Sequence, residues 1–202
     1  MFFNVRLRLR RGPRAAAVLT AFAVAGLAPQ PAQAQSAQPY AAQVSAFFTT
    51  IRAGNSNVPG TGVEVQQRFN RLYATEEFGA LSVGIGGQYT MHTKVRDRLK
   101  VAGLFIEPRW VPATGSNTVF PYLSARLAIQ QMTGEFQFAE GGKSLGSAFG
   151  VGGGLAVKVT RSINLDAGMQ VVRQQFGDIG ALPFGARTTY TAKIGLSIGY
   201  PQ

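Results

Sequence analysis

The chain has 202 residues, a formal net charge of +11 and no cysteine. That length suffices for one domain with its own core, and the absence of cysteine excludes a disulfide framework and any thiolate metal site. The basic excess sits partly at the start: residues 1–34 hold five arginines and no acid, so the charge falls to +6 (11 − 5) over residues 35–202, which weakens the case for a nucleic-acid partner.

Arg6, Arg8, Arg10, Arg11 and Arg14 precede an apolar stretch, Ala15 to Leu27, that is too short to cross a bilayer as an anchor helix. Ala32-Gln33-Ala34 follows as an A-x-A cleavage site. This order predicts a secretory signal peptide over 1–34 and a mature domain over 35–202. Beyond residue 34 no apolar run approaches the ~20 residues of a transmembrane helix, so a mature chain that spans a membrane does so with strands.

Eight segments bounded by Gly, Pro, Asn, Asp and Ser clusters read as strands: 40–53, 61–74, 79–93, 99–112, 118–133, 145–160, 163–176 and 187–200. Most sort their side chains by parity, as successive strand residues must when two faces differ. In the first, Val44 and Phe48 oppose Gln43 and Ser45, with Phe47 misplaced on the polar face. In the third, Leu81, Val83, Ile85, Tyr89 and Met91 oppose Ser82, Gly84, Gly86, Gln88 and Thr90. In the sixth, Leu145, Phe149, Val151, Leu155 and Val157 oppose Gly146, Ala148, Gly150, Gly152, Gly154 and Ala156. Proline lacks the donor a ladder needs, so Pro108 inside the fourth segment predicts a bulge or irregular pairing.

The connections predict two kinds of end. Short turns fall at 75–78, 112–117 and 161–162; longer loops fall at 55–60, 94–99, 134–144 and 177–186. An even strand count with that asymmetry is the layout of a transmembrane barrel with both termini at the short-turn, periplasmic end.

Eight alternating strands also suit a soluble periplasmic barrel that binds a small apolar ligand inside. Three features favour the membrane arrangement. Glycines crowd one face of the sixth segment, where water-facing positions gain nothing from them and a narrow lumen needs them to make room for Phe105, Glu107, Arg109 and Arg126 across it. Tyr40, Tyr73, Trp110 and Tyr200 on the apolar face near the short turns, and Tyr89 and Tyr190 near the long loops, match two aromatic girdles. Glu64, Arg68, Glu107, Arg109, Arg126, Lys158, Asp166 and Lys193 lie on the polar face with both signs present, so they can pair in a lumen. On this reading Leu155→Arg opposes insertion, by about 2–4 kcal/mol if the site is near the midplane, and Gly152→Arg crowds the lumen.

The stretch "GSAFGVGGGLAVKVTRSINLDAGMQVV" (146–172), a glycine-rich strand, a tight turn and a strand opening on "INLDAG", resembles the penultimate hairpin of the small eight-stranded outer-membrane barrels of the OmpA/OmpX type. The final strand "TAKIGLSIGY" is similar to the terminal strands that the outer-membrane assembly machinery reads, although Pro201-Gln202 follow the usual aromatic end. The resemblance implies an all-β, eight-stranded antiparallel up-and-down transmembrane barrel in a Gram-negative outer membrane, monomeric, with a structural or interaction role.

Catalytic residues are not expected. His92 is the single histidine, no nucleophile motif accompanies it, and a lipid A-modifying triad would need a serine and an acid beside it. No metal site is expected, and no cofactor: "GIGG" (84–87) and "GVGGG" (150–154) lie inside strands with no helix following. The cluster "KVRDRLK", with Lys94, Arg96, Arg98 and Lys100, is expected in a surface loop where it could meet the phosphates of lipopolysaccharide. Side chains nearly fill an eight-stranded lumen, so a general porin is not expected, though a narrow pore remains an alternative.

Overall fold

The computed structural model describes residues 40–53, 56–75, 77–94, 97–114, 116, 118–137, 141–160, 162–178 and 185–198. The predicted signal peptide therefore lies outside the described residues, as do Arg96 and Tyr200. Eight strands follow one another in chain order: β1 Tyr40–Ala53, β2 Ser56–Thr75, β3 Gly79–Lys94, β4 Asp97–Val111, β5 Val119–Glu135, β6 Gly142–Lys158, β7 Ile163–Phe176 and β8 Gly185–Ile198. Each pairs antiparallel with its neighbour, and β8 pairs with β1, so the sheet closes and no edge is left.

The register sets the shape. Paired positions run from Ala42 through Gln67, Ile85, Ile106, Leu127, Phe149, Arg173 and Thr188 to Arg52, so one circuit returns to β1 ten residues further on (52 − 42). Ten rises of about 3.3 Å against eight strand spacings of about 4.8 Å tilt the strands by roughly 40°. Each residue along a strand then changes height by about 2.5 Å, and each step to the next strand by about 3 Å. On that scale Tyr89 and Tyr190 reach nearly one height, about 17 Å above Trp110.

β1 and β7 keep the predicted bounds, β2 begins five residues earlier than the sequence predicts (56 against 61), and two predicted loops disappear. Residues 56–60 belong to β2, which has 20 residues and pairs Ala53 with Ser56. The stretch 94–99 is a hairpin tip, with Lys94 paired to Asp97 and the rest of "DRLK" inside β4. A membrane needs only about 9–11 residues per tilted strand, so the extra length carries the sheet past the apolar zone, and polarity there marks strand ends rather than loops. The connections after β5 and β7 span 136–141 and 177–184, and with two-residue connections after β1 and β3 at the same end, the expected division into a short-turn end and a long-loop end does not hold.

The proline expectation holds in its second form, an irregular pairing rather than a bulge. Pro108 pairs with Val83 without any register shift, and the ladder to β5 skips from Ile106–Leu127 to Arg109–Ser124 in the same register. The missing donor faces this gap. The bulge lies elsewhere, in β2 between Phe69 and Tyr73, where the pairing with β3 shifts. At the next turn Gly79 adopts φ +90°, and a Cβ there would meet the Val111 carbonyl. The 6–7 turn is held by Thr160, whose hydroxyl accepts from the backbone N–H groups of Ser162 and Ile163 at 3.2 and 3.1 Å.

Candidate functional site

The barrel is inverted relative to a soluble protein. Leu104 is 60% exposed, Met169 70% and Ile129 66%, while Glu107 is 0% exposed. Parity assigns the two faces as expected: Val83, Ile85, Leu123, Leu127, Val151, Leu155, Ile194 and Leu196 point outward, and Gln43, Ser45, Glu64, Gln66, Asp166 and Gln170 point inward.

The interior is built around one carboxylate. β4 turns Glu107 to the barrel axis, where Oε1 accepts from Arg68 Nη2 at 2.9 Å and Arg109 Nη2 at 3.2 Å. Oε2 accepts from Arg126 Nε at 3.1 Å, from the Arg126 Nη2 amine, from Gln170 Nε2 at 2.9 Å and from Lys193 Nζ at 3.2 Å. Glu64 lies beside it, 2.8 Å from Arg126 Nη1 and 3.3 Å from Lys193 Nζ. Toward the end of the barrel that holds the β6–β7 turn, Asp166 accepts from Arg109 Nη1 at 2.6 Å and from the Tyr122 hydroxyl at 2.9 Å. The Arg109 and Arg126 guanidinium planes also cover the rings of Tyr122 and Phe105, at 3.8 and 3.9 Å. Seven of the eight predicted lumen charges thus form one buried network. Lys158 is the exception: it is half-buried at the end of β6 and pairs with none of the described residues.

Above the network the lumen holds two apolar clusters among buried polar residues such as Thr90, Gln130 and Gln174. Phe105, Ala128, Ala148 and Val172 form one buried cluster. Nearer the β5–β6 and β7–β8 loops, Ile51, Val101, Met132 and Phe176 form a second, against which Leu99 and Phe136 pack. The sequence reading missed this plug because each member occupies a polar-parity position singly. Phe47, at 8% exposure, and Phe105 were the apolar residues the pattern already placed on the inner face.

The glycines of β6 act on neighbouring strands rather than across the lumen, contrary to the expectation. A Cβ at Gly152 would strike Gln170 and the Met169 carbonyl; one at Gly150 would strike Val172. Tilted strands lean their side chains over the adjoining backbone, so the small residue lies under its neighbour. Tyr122 fits the same way, over Gly154 and Gly168, with a Cβ at Gly154 coming 2.6 Å from its hydroxyl. Gly168→Val is therefore expected to push Tyr122 off Asp166 and lower the unfolding midpoint, while Tyr122→Phe in the same background restores little; an unchanged midpoint for Gly168→Val would refute this packing.

The aromatic residues divide. Tyr73, Phe78 and Trp110 form an outward cluster at the β2–β3 turn, with centroids 5.9 Å apart for Tyr73–Phe78 and 5.4 Å for Phe78–Trp110. Trp110 Nε1 donates to the Phe78 carbonyl at 2.9 Å. Tyr190 is exposed and Tyr89 half-buried at the opposite end; Tyr40 begins β1.

Among the basic cluster, Lys94 closes the β3–β4 hairpin, and Arg98 and Lys100 lie on β4 rather than in a loop. The Lys100 ammonium pairs with Glu135. His92 points inward, with Nδ1 3.3 Å from the Val58 carbonyl. Among the described residues no group of three His, Cys, Asp or Glu side chains could hold a metal.

Fold and interior define a class: a small closed eight-stranded barrel with an apolar outer wall and a polar, ion-paired centre. The chain is similar in structure to Neisserial surface protein A, with a TM-score of 0.62 at 18% identity, over 82% of this chain and 100% of that one. It also matches the N-terminal β-barrel domain of Pseudomonas aeruginosa OprF (TM-score 0.48, 16% identity, 81% and 100% covered). A further match is Ail, the attachment invasion locus protein of Yersinia pestis (TM-score 0.46, 10% identity, 79% and 96% covered). The likeness to Neisserial surface protein A shows the fold. No protein-family model matches the chain, and neither does any curated protein.

Proposed function

We propose that this chain is an integral outer-membrane barrel with a structural or interaction role and no open channel. One observation supports it above the rest: the apolar side chains face outward over the whole circuit while the ionic ones pair with each other inside. In water such an exterior would expose a large apolar surface, which soluble monomers avoid; against lipid tails it is the stable arrangement. A soluble barrel for an apolar ligand needs the opposite polarity. The signal peptide over 1–34 delivers the chain, the assembly machinery reads the last strand, and the barrel works as a monomer. The end of the barrel where β5 meets β6 and β7 meets β8 faces the exterior, and the basic residues Lys94, Arg96, Arg98 and Lys100 meet lipopolysaccharide at the outer rim.

Fractionation tests the address. The protein is expected to stay with outer membranes through a high-salt wash, and the purified mature chain to fold in detergent but not in plain buffer. A folded monomer in buffer alone would overturn the reading. In planar bilayers the sealed lumen is expected to give no conductance above background, and steady channels would refute the closed interior.

A further inference from the structure

A groove runs over the outer wall of the barrel across β4, β5, β6 and β7, with Ile106, Leu127, Leu104, Ile129, Leu145 and Phe149 among its apolar lining. It exists because the outward positions Ala102 and Ser147 are small and sit among those large neighbours. The register arranges this wall in rows. The row Ile106–Leu127–Phe149 is apolar until it ends on Arg173, and the row above it, Leu104–Ile129–Ser147, ends on Gln175. Two rows higher stand Lys100, Thr133 and Lys143.

Arg173 is the unusual member. It is exposed, points outward, and borders apolar residues at about the height of Tyr89 and Tyr190, where an aromatic girdle marks the edge of the hydrocarbon. Among the described residues no side chain pairs with it. A cation at this depth is stabilised by a phosphate, which a guanidinium grips through two parallel hydrogen bonds. Arg98, Lys100, Lys143 and Arg173 give this wall four positive charges, against Glu135, which pairs with Lys100, Asp97, which accepts from the Gln137 backbone N–H at 3.0 Å, and Asp178, which follows the end of β7. The excess is one (4 − 3), with Arg173 in the lining of the groove and the other cations above it. That order, grease below and cations above, complements a lipid that carries phosphate at its head and acyl chains beneath.

We infer that this wall holds one molecule of lipopolysaccharide in the outer leaflet, with an acyl chain in the groove, one lipid A phosphate on Arg173 and the more distal phosphates against Lys100 and Lys143. The inference rests on the outer-membrane reading and moves the contact from the hairpin tip to the lateral wall. Ser147 and Ala102 keep the groove open.

The test uses the full mature barrel in detergent micelles, titrated with bisphosphorylated lipid A and followed by native mass spectrometry. Parallel titrations use dephosphorylated lipid A and phosphatidylglycerol. Wild type is expected to bind one lipid A at least tenfold more tightly than either comparator. Arg173→Glu with Lys143→Glu should weaken binding by tenfold or more, and Ser147→Trp, which fills the groove without changing charge, should do the same. Lys158→Glu, at the opposite end of the barrel, should change it less than twofold. Arg173→Gln replaces the double variant if that fails to fold. Equal affinity for phosphatidylglycerol, or wild-type affinity in Arg173→Gln and Ser147→Trp, would overturn the proposal. Failure of the outer-membrane reading is distinguishable, because wild type and every variant would then leave the membrane fraction before any titration.

Discussion

Glu107→Gln is expected to destabilise the barrel by about 3–5 kcal/mol or more, the usual cost of leaving buried charges without their partner. Among the described residues the network balances four cations, Arg68, Arg109, Arg126 and Lys193, against three carboxylates, Glu64, Glu107 and Asp166. The substitution raises its net charge from +1 (4 − 3) to +2 (4 − 2). It also replaces one acceptor oxygen by an NH2 group that faces donors already committed to that point. Glutamine keeps the volume, so the loss reports on charge and hydrogen bonding rather than on a cavity. Lys193→Met in the Glu107→Gln background returns the balance to +1 and leaves Glu64 paired with Arg126, so it is expected to recover part of the loss. The measurement is the urea midpoint of the refolded barrel, read from the mobility difference between folded and unfolded chain. The pair of single variants should cost more in sum than the double variant. A Glu107→Gln barrel within about 0.5 kcal/mol of wild type, the range of an inconsequential surface change, would show that the network is not what fills and holds the lumen.

Parity alone made the barrel and its two faces legible, because a period-2 pattern cannot be satisfied by any other element once one face is uniformly apolar. The ionic residues could be assigned to the interior for the same reason. Which of them meet could not be read. Glu107 joins Arg126 on the next strand, but also Arg68 and Lys193, 39 and 86 positions away in sequence, and that depends on the shear, which no local pattern encodes. Lys158 shows the limit from the other side: its parity is right and it stands in register with the buried Asn164, but at the end of β6 it is only half-buried and joins no ion pair among the described residues. The loops at 55–60 and 94–99 failed because polar, glycine- or proline-containing stretches mark a turn in a soluble sheet, whereas here strands outlast the membrane and their ends are polar too. The apolar plug of Ile51, Val101, Met132 and Phe176 was invisible because it is assembled from four strands, one residue from each. The groove beside Arg173 was likewise unreadable, since a single outward arginine on β7 gains meaning only from the rows that register places next to it.

Ile106→Arg is expected to block assembly, and Leu155→Arg to be tolerated. Both side chains face outward, at 47% and 48% exposure, so the difference rests on depth alone. From the tilt of the strands, Ile106 lies about 10 Å above Trp110 and about 7 Å below Tyr89, near the centre of the apolar band. Leu155 lies about 9 Å lower, close to the height of Trp110, so the midplane condition on which its expected cost of insertion depended is not met. An arginine at the bilayer centre of a barrel wall costs about 2–4 kcal/mol, falling to about 0–1 near the interface. At Ile106 the flanking positions in register are Ile85 and Leu127, so no acid is at hand to neutralise the charge. At Leu155 the guanidinium reaches water past the short β6–β7 turn by extending its stem. Folded yield in lipid vesicles, scored for both variants and for Ile106→Leu as a packing control, separates depth from loss of shape. Equal costs at the two sites would mean that the band is not where the strand tilt puts it. No cost at either would mean that this wall meets water, and the membrane assignment would fall with it.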